Sequence, residues 1–297
     1  MNASYRSGYV ALVGRPNVGK STLLNRLLGQ KLAITSHKPQ TTRHRILGIK
    51  STDTLQAVYV DTPGIHKQGG KAMSRYLNRT AHTALQDVDL VLFVCQALRW
   101  QEEDTLVLES IRHTNLPCIA VVNKIDRADN KEALLPFLAE LANRHTFLDL
   151  LPISARQGTQ VEALEQQIQQ QLPYGDPIFP PDQLTDRSER FFAAELLREQ
   201  ITRRYHQELP YVSSVEIEHF EAKPGRYVIG AVIWIERESQ RAILLGKKGL
   251  TLKATASAAR QQMCAMFDTR VHLDVWIKVK RSWSSDELSL AQLGYAD

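Results

Sequence analysis

The stretch Gly14-Arg-Pro-Asn-Val-Gly-Lys-Ser21 has the residue types and the spacing of a phosphate-binding loop. It follows an apolar run, Tyr9 to Val13, and precedes a helix-like run, Thr22 to Leu28. Between a strand and a helix, glycines let the backbone curl so that successive N–H groups point at phosphate oxygens, and the positive end of the helix adds to this attraction. We therefore predict that Lys20 contacts the β- and γ-phosphates of a nucleotide and that Ser21 is a ligand of Mg²⁺.

Two further motifs follow strand-like runs, at the carboxyl ends where ligands of parallel sheets bind. In Asp61-Thr-Pro-Gly64, the carboxylate can hold the Mg²⁺ shell and Gly64 can present an N–H to a γ-phosphate. In Asn123-Lys-Ile-Asp126, the carboxylate of Asp126 can accept two N–H groups of guanine, an arrangement that adenine does not offer. Capping of a helix is the alternative role for Asp126.

The elements that would position these motifs alternate between strands and helices. The predicted strands are His44 to Ser51, Leu55 to Asp61, Asp89 to Cys95, Cys118 to Val122 and Leu148 to Ile153. The predicted helices are Lys71 to Leu85, Glu102 to Arg112 and Val161 to Leu172. This rhythm predicts an α/β fold with a mostly parallel, doubly wound sheet. The stretch Gln30 to Arg43 lacks periodicity and predicts a mobile loop.

Composition limits the class of protein. A length of 297 residues suggests about two domains, and 43% hydrophobic with 23% charged residues is typical of soluble globular proteins. No apolar run approaches the ~18 residues of a membrane-spanning helix, and the first ten residues lack the apolar segment of a signal peptide. We therefore expect a cytoplasmic protein. The three cysteines, Cys95, Cys118 and Cys264, are widely spaced and predict buried free thiols.

The second half of the chain predicts a separate α+β domain. Pro173 to Arg187 contains four prolines and predicts a linker. The elements that follow are a helix (Glu189 to Tyr205), two strands (Val212 to Phe220, Tyr227 to Glu236), two helices (Gln240 to Leu245, Leu250 to Phe267) and a strand (Val271 to Lys280). The longer of the two paired helices has one apolar stripe, which we expect to pack on the sheet: Leu252, Ala256, Ala259, Met263 and Met266.

Between the paired helices lies Gly246-Lys-Lys-Gly249, which resembles the GXXG loop that grips a nucleic-acid backbone in KH domains. Gly246 and Gly249 would permit close approach of phosphates, and Lys247 and Lys248 would supply positive charge. From residue 241 to residue 281 there are nine Lys or Arg residues and two Asp, which favours a polyanionic partner. A simple turn and a solvated basic surface are the alternatives. Trp276 is a candidate for base stacking or an ordinary surface tryptophan.

The order and spacing of GRPNVGKS, TT, DTPG, NKID and SA resemble the five motifs of Ras-like GTPases. The resemblance implies that Thr41 or Thr42, with Thr42 favoured, binds Mg²⁺ in the GTP state, and the sequence does not decide between them. It also implies that Asn123 and Lys124 brace the base and that the N–H of Ala155 meets the guanine carbonyl. The predicted catalytic residues are Lys20, Thr42 and Gly64, and the predicted metal ligands are Ser21, Thr42 and Asp61. The predicted nucleotide-binding residues are Gly14, Asn17, Val18, Gly19, Lys20, Ser21, Thr22, Asp61, Gly64, Asn123, Lys124, Asp126, Ser154 and Ala155.

One residue departs from the Ras pattern. Ile65 stands directly after Gly64, where Ras carries the glutamine that orients the attacking water. An isoleucine side chain makes no hydrogen bond, so unaided hydrolysis should be slow. Asn17 is a candidate for holding a K⁺ ion, as in related GTPases that share the hydrophobic replacement, and a role limited to shaping the turn is the alternative.

Taken over its whole length, the chain resembles a family of bacterial GTPases in which a Ras-like domain precedes a C-terminal type II KH domain. The stretches that carry this resemblance outside the nucleotide motifs are QTTRH (40–44), TDRSER (185–190), ELPY (208–211), VHLDVWIKVK (271–280) and LGY (293–295). It implies GTP and GDP as ligands and a switch that binds 16S ribosomal RNA near its 3′ end during assembly of the small (30S) ribosomal subunit. We expect a monomer, with peripheral association with the cytoplasmic face of the inner membrane as an open alternative.

We predict a GTPase domain at 1–173, a linker at 174–187, a KH domain at 188–281 and a tail at 282–297. In the tail, Ser284-Ser-Asp-Glu287 predicts a capping box before a short helix that ends near Gly294. The main alternative function is a regulatory GTPase that acts through protein or membrane partners. A metabolic ATP-dependent kinase also uses a phosphate-binding loop, but NKID favours guanine.

Overall fold

The computed structural model describes residues 5–65, 71–128 and 132–295. Residues 1–4 of the predicted GTPase domain and 296–297 of the predicted tail lie outside the described residues. The chain divides into two compact units, each described by itself below. One consists of residues 1–33, 42–69 and 77–186, and the other of residues 34–41, 70–76 and 187–297. The predicted domain limits stay a prediction.

The first unit is a six-stranded mixed sheet with helices between its strands. Its elements are β1 (Arg6–Val13), α1 (Lys20–Leu28), β2 (Ile46–Ser51), β3 (Leu55–Asp61), the later part of α2 (Ala72–Thr83), β4 (Leu90–Gln96), α3 (Glu102–Arg112), β5 (Cys118–Asn123), α4 (Leu134–Ala142), β6 (Asp149–Pro152) and α5 (Val161–Gln171). The strand order is β2-β3-β1-β4-β5-β6, and β2 is antiparallel to β3 while the other pairs are parallel. The predicted doubly wound α/β sheet is confirmed.

The parallel register explains how distant motifs reach one edge of the sheet. Leu12 lies opposite Asp61, and Gln96 lies opposite Asn123, so the loops after β1, β3 and β5 leave the sheet at similar heights. Helix α4 was not predicted from the sequence. Its Pro136 lies in the first helical turn, where the missing N–H is tolerated.

Apolar side chains of the strands form the core of the first unit. Phe93 is fully buried and packs parallel to Phe147, with ring centroids 6.1 Å apart. The predicted linker runs along the edge of this sheet: the N–H of Ile49 on the edge strand donates to Leu184 O at 2.9 Å, and Gln56 bonds the backbone of Phe179. The segment therefore covers backbone groups that an edge strand would otherwise expose.

The second unit is a three-stranded sheet with helices packed on one face. Its main elements are α6 (Glu189–Arg204), α7 (Leu209–Val212), β7 (Ser214–Lys223), β8 (Arg226–Ile235), α8 (Glu238–Leu245), α9 (Leu250–Phe267), β9 (Arg270–Val279) and α10 (Glu287–Gln292). β7 is antiparallel and β9 parallel to the central β8. In the predicted stripe of α9, Ala259 and Met263 are fully buried. On the opposite face of the sheet, the half-exposed Trp276 packs over Gly230.

Helix α6 buries charged as well as apolar side chains. Arg198 pairs with Glu195 at 2.6 Å and also donates to the carbonyl of Thr41. Glu199 accepts the N–H of Thr35 at 2.9 Å. The predicted mobile loop Gln30 to Arg43 has no helix or strand, as expected, but residues 34–41 are hydrogen-bonded to α6 within the second unit.

The cap of α10 and the exposure of Cys264 in the second unit differ from the predictions. The cap of α10 is Asp286, whose carboxylate accepts the N–H of Ser289 at 2.8 Å, so the predicted capping box at Ser284 is wrong. Ser284 instead donates to Glu236 at 2.6 Å. Cys264 is only half-buried, whereas Cys95 and Cys118 are buried free thiols as predicted.

Among the described helices, none has the length and apolar character needed to cross a membrane.

Candidate functional site

The phosphate-binding loop turns between β1 and α1 through a conformation that requires glycine. Gly19 has φ 106°, and a Cβ there would lie 2.4 Å from Nδ2 of Asn123. This left-handed backbone and close approach exclude larger residues. Helix α1 then begins at Lys20, so its first N–H groups face the concave side of the loop.

The side chain of Lys20 is folded into this loop. Its Nζ donates to the carbonyl oxygens of Gly14 at 2.9 Å and Arg15 at 3.2 Å. Burial lowers the pKa of Lys20 to about 8, and the nearby Asp61 carboxylate partly opposes this effect. Phosphate oxygens would offer the amine a stronger, charged partner than these carbonyls.

The three predicted metal ligands meet beside Lys20. Ser21 Oγ donates to Asp61 Oδ2 at 2.7 Å and lies 2.9 Å from Thr42 Oγ1. The hydroxyl of Thr41 is used elsewhere, because it donates to Lys38 O at 2.6 Å and lies 2.7 Å from Ser36 Oγ. The geometry therefore brings Thr42, and not its neighbour, to the other two candidate ligands.

The donor set fits Mg²⁺. Asp61 is fully buried, and among the described residues its Oδ1 has no hydrogen-bond partner. Burial raises the pKa of Asp61, because a carboxylate charge is costly away from water, while Lys20 opposes the rise. A hard cation among one carboxylate and two hydroxyl oxygens would satisfy the unpaired oxygen.

The segment after β3 packs against the phosphate-binding loop. A Cβ on Gly64 would lie 2.5 Å from the nitrogen of Pro16, so only glycine fits there. The side chain of Ile65 is buried in the core of the first unit. It therefore offers no polar group at the position where Ras carries its glutamine.

The predicted base-binding residues form a connected network. Asn123 Nδ2 donates to Val18 O at 2.8 Å, which ties the end of β5 to the phosphate-binding loop. Ser154 Oγ donates to Asp126 Oδ1 at 2.6 Å. Lys124 donates to the carbonyl of Asn17, and burial lowers the pKa of Lys124 to about 8. The structure thus assembles residues from three separate loops.

The backbone N–H that is predicted to contact the base already donates a hydrogen bond within the protein. The N–H of Ala155 donates to Asn123 Oδ1 at 3.0 Å, so a bond to a guanine carbonyl would have to share or replace this one. Arg26 of helix α1 was not among the predicted residues, and its Nε donates to Ala155 O at 3.1 Å. Nothing in the local sequence around Arg26 indicates this contact across the fold.

In the second unit, the GKKG loop has the predicted position between α8 and α9. Gly246 has φ 66°, and a Cβ there would lie 2.0 Å from Thr251 Oγ1, while Gly249 has φ 74°. Lys247 and Lys248 are exposed. Exposed apolar side chains flank the loop at Ile243, Leu245 and Leu250. The loop therefore offers charge and close backbone approach beside an apolar surface.

Comparisons with known proteins agree with this two-part organisation. Residues 9–124 match the family model described as 50S ribosome-binding GTPase, and residues 208–284 match the KH domain model. GTPase Era of Pseudomonas aeruginosa is 53% identical over 99% of this chain and 97% of that protein. GTPase Era of Azotobacter vinelandii is 53% identical over 99% of this chain and 98% of that protein.

Two solved structures match over nearly the whole chain. A single-residue variant of Era from Aquifex aeolicus bound to GDP·AlF₄⁻ has a TM-score of 0.95 at 36% identity, over 98% of this chain and 100% of that chain. Era in complex with MgGDPNP and nucleotides 1506–1542 of 16S ribosomal RNA has a TM-score of 0.95 at 36% identity, over 99% and 100%. With a GTPase site, a KH loop and relatives that match from end to end, the chain belongs to the GTPase Era family.

Proposed function

We propose that this protein binds GTP with Mg²⁺, hydrolyses GTP to GDP and phosphate, and binds 16S ribosomal RNA near its 3′ end during assembly of the small ribosomal subunit. The main support for binding of GTP with Mg²⁺ is that Ser21, Thr42 and Asp61 lie in contact, and that one carboxylate oxygen of Asp61 is buried without a hydrogen-bond partner among the described residues. The complex of a relative with MgGDPNP and 16S RNA supports the second part.

In this mechanism the protein contributes mainly position and charge. Ser21, Thr42 and Asp61 would hold Mg²⁺, which supplies charge neutralisation at the β- and γ-phosphates when bound. Lys20 would exchange its two carbonyl partners for phosphate oxygens, and the N–H of Gly64 would meet the γ-phosphate. These groups stabilise the negative charge of the transferring phosphoryl group without themselves gaining or losing a proton.

Lys20→Ala tests the GTPase half. We expect a loss of about 2–4 kcal/mol in nucleotide affinity or in transition-state stabilisation, because a preorganised charge at the phosphates is removed. The measurement is phosphate release and GTP affinity, with and without chelation of Mg²⁺. Lys31→Ala, an exposed lysine after α1, is the control. Wild-type turnover in Lys20→Ala, or turnover that persists after chelation, would contradict the assignment.

Positioning of the attacking water needs a group other than residue 65. We propose that Asn17 takes part in binding K⁺ beside the phosphates, because Asn17 adopts φ 63° inside the loop and Ile65 is buried. GTP hydrolysis is then expected to be faster in KCl than in NaCl at equal ionic strength. Equal rates in the two salts would reject the ion, and the same comparison with Asn17→Ala shows whether the salt effect depends on this residue.

The GKKG loop supports RNA over a purely regulatory role, because Lys247 and Lys248 are exposed where both glycines allow close approach of a phosphate backbone. We propose that the chain acts as a monomer in the cytoplasm. Contact with the inner membrane remains the alternative, and flotation of the protein with anionic vesicles would support it.

A further inference from the structure

We propose that Arg15 and Asp104 form a positioning pair that holds the phosphate-binding loop against the start of α3 in the conformation that binds nucleotide. This inference rests on the proposed function of the loop. It assigns a role to the one basic side chain of the loop besides Lys20 and to a carboxylate 89 positions away in the sequence.

The ion pair between Arg15 and Asp104 has a short contact distance, and both side chains are buried. Arg15 Nε lies 2.8 Å from Asp104 Oδ2, and the two side chains are 7% and 0% exposed. The same carboxylate oxygen accepts the N–H of Gln101 at 2.9 Å, so it also closes the first turn of α3. Asp104 is therefore fixed by its own helix and can act as a rigid anchor for the loop.

Arg15 is held at both ends. Its guanidinium binds Asp104, while its carbonyl accepts the amine of Lys20 at 3.2 Å. The next residue, Pro16, packs against Gly64 from the other phosphate-contacting segment. A shift of the Arg15 side chain would therefore move the carbonyl that orients Lys20 and the backbone that packs against Gly64.

Stability alone does not account for the pair. Within the described part of the chain, Arg15 Nη2 and Asp104 Oδ1 are buried without a hydrogen-bond partner. Replacing a buried ion pair by apolar side chains of similar volume is often neutral or stabilising, so such a pair is weak evidence for a role in stability. A role in fixing the conformation of the loop, rather than in the free energy of folding, fits a pair in which one partner belongs to the phosphate-binding loop.

The test separates positioning from folding by comparing a broken pair with a fully apolar one. Asp104→Asn leaves the Arg15 charge unpaired, whereas Arg15→Met combined with Asp104→Leu removes both charges. Dissociation of fluorescently labelled GDP and thermal unfolding are measured for each purified full-length variant. We expect GDP to dissociate about tenfold faster or more from both variants, because small displacements of a positioned group have effects of this size. Asp104→Asn should lower the unfolding temperature more than the double variant does, because both lose or weaken the cap of α3 but only Asp104→Asn leaves a buried charge unpaired.

Glu165→Gln is the matched control, because it breaks the more exposed Lys50–Glu165 pair of the same unit and should leave GDP dissociation unchanged. GDP dissociation at the wild-type rate from the double variant would overturn the inference and reduce the pair to a structural role. GDP dissociation at the wild-type rate from Asp104→Asn would overturn it as well. Absence of GDP binding by the wild-type protein would instead contradict the proposed function on which the inference rests.

Discussion

Asp126→Asn is expected to move the nucleotide preference of this protein from GTP to xanthosine triphosphate. The substitution replaces an acceptor with a donor opposite position 2 of the base, where guanine has an amino group and xanthine a carbonyl. Asp126 is oriented for this role by Ser154, which donates to its Oδ1 at 2.6 Å. Because an unpaired buried polar group is costly, we expect the ratio of the two affinities to change by at least about a hundredfold.

The measurement is competition of each triphosphate against a labelled nucleotide. Asp53→Asn, which changes an exposed carboxylate in the turn between β2 and β3, is the control and should keep the preference for GTP. If Asp126→Asn kept its affinity for GTP and gained none for the xanthine nucleotide, Asp126 would not read the base.

Replacing both loop lysines, in Lys247→Asp with Lys248→Asp, is expected to abolish RNA binding while GTP affinity stays intact. Each lysine that neutralises a phosphate of a single strand contributes about 0.7 to the slope of log affinity against log salt. Alanine at both positions should therefore flatten the slope by roughly 1.4. Aspartate should be worse than alanine, because it adds repulsion where the backbone must approach closely.

The matched control is Lys223→Asp with Arg226→Asp, the same change of charge at exposed positions in the β7–β8 hairpin. It should retain most of the affinity for RNA. A small loss of affinity and an unchanged salt slope in the loop variant would identify GKKG as a solvated turn. Circular dichroism and GTP binding of each variant would show whether a loss of RNA binding comes from misfolding.

That the candidate nucleotide-binding residues lie together was predictable from sequence, because they follow parallel strands of one sheet. In such a sheet the carboxyl ends meet, so the loop after β1, Asp61 and Asn123 reach the same edge once the strands are recognised. The resemblance favoured Thr42 over Thr41, but the residues alone did not decide between them, since the choice depends on which hydroxyl faces Ser21. The position of the GKKG loop was predictable because its two glycines lie between two periodic helical patterns, and in the structure both glycines have positive φ.

What the sequence could not show is interaction between residues far apart in the chain that lack a shared motif. Arg15 and Asp104 meet only because α3 starts beside the phosphate-binding loop, and Arg26 reaches Ala155 from another helix. The cap of α10 was misassigned because Ser284 and Asp286 are both good caps, and packing against Glu236 decides between them. Local propensity carries no information about such competition.

The proposed switch that binds 16S ribosomal RNA is tested by the affinity of the intact protein, loaded with MgGDPNP, for RNA of 16S nucleotides 1506–1542. A shuffled RNA of the same length and composition serves as the comparison, at one fixed salt concentration. We expect binding to the 16S sequence to be at least about tenfold tighter than to the shuffled RNA, since readout of bases adds to the attraction between lysines and phosphates. Equal affinity for the two RNAs, or no binding to either, would contradict that proposal.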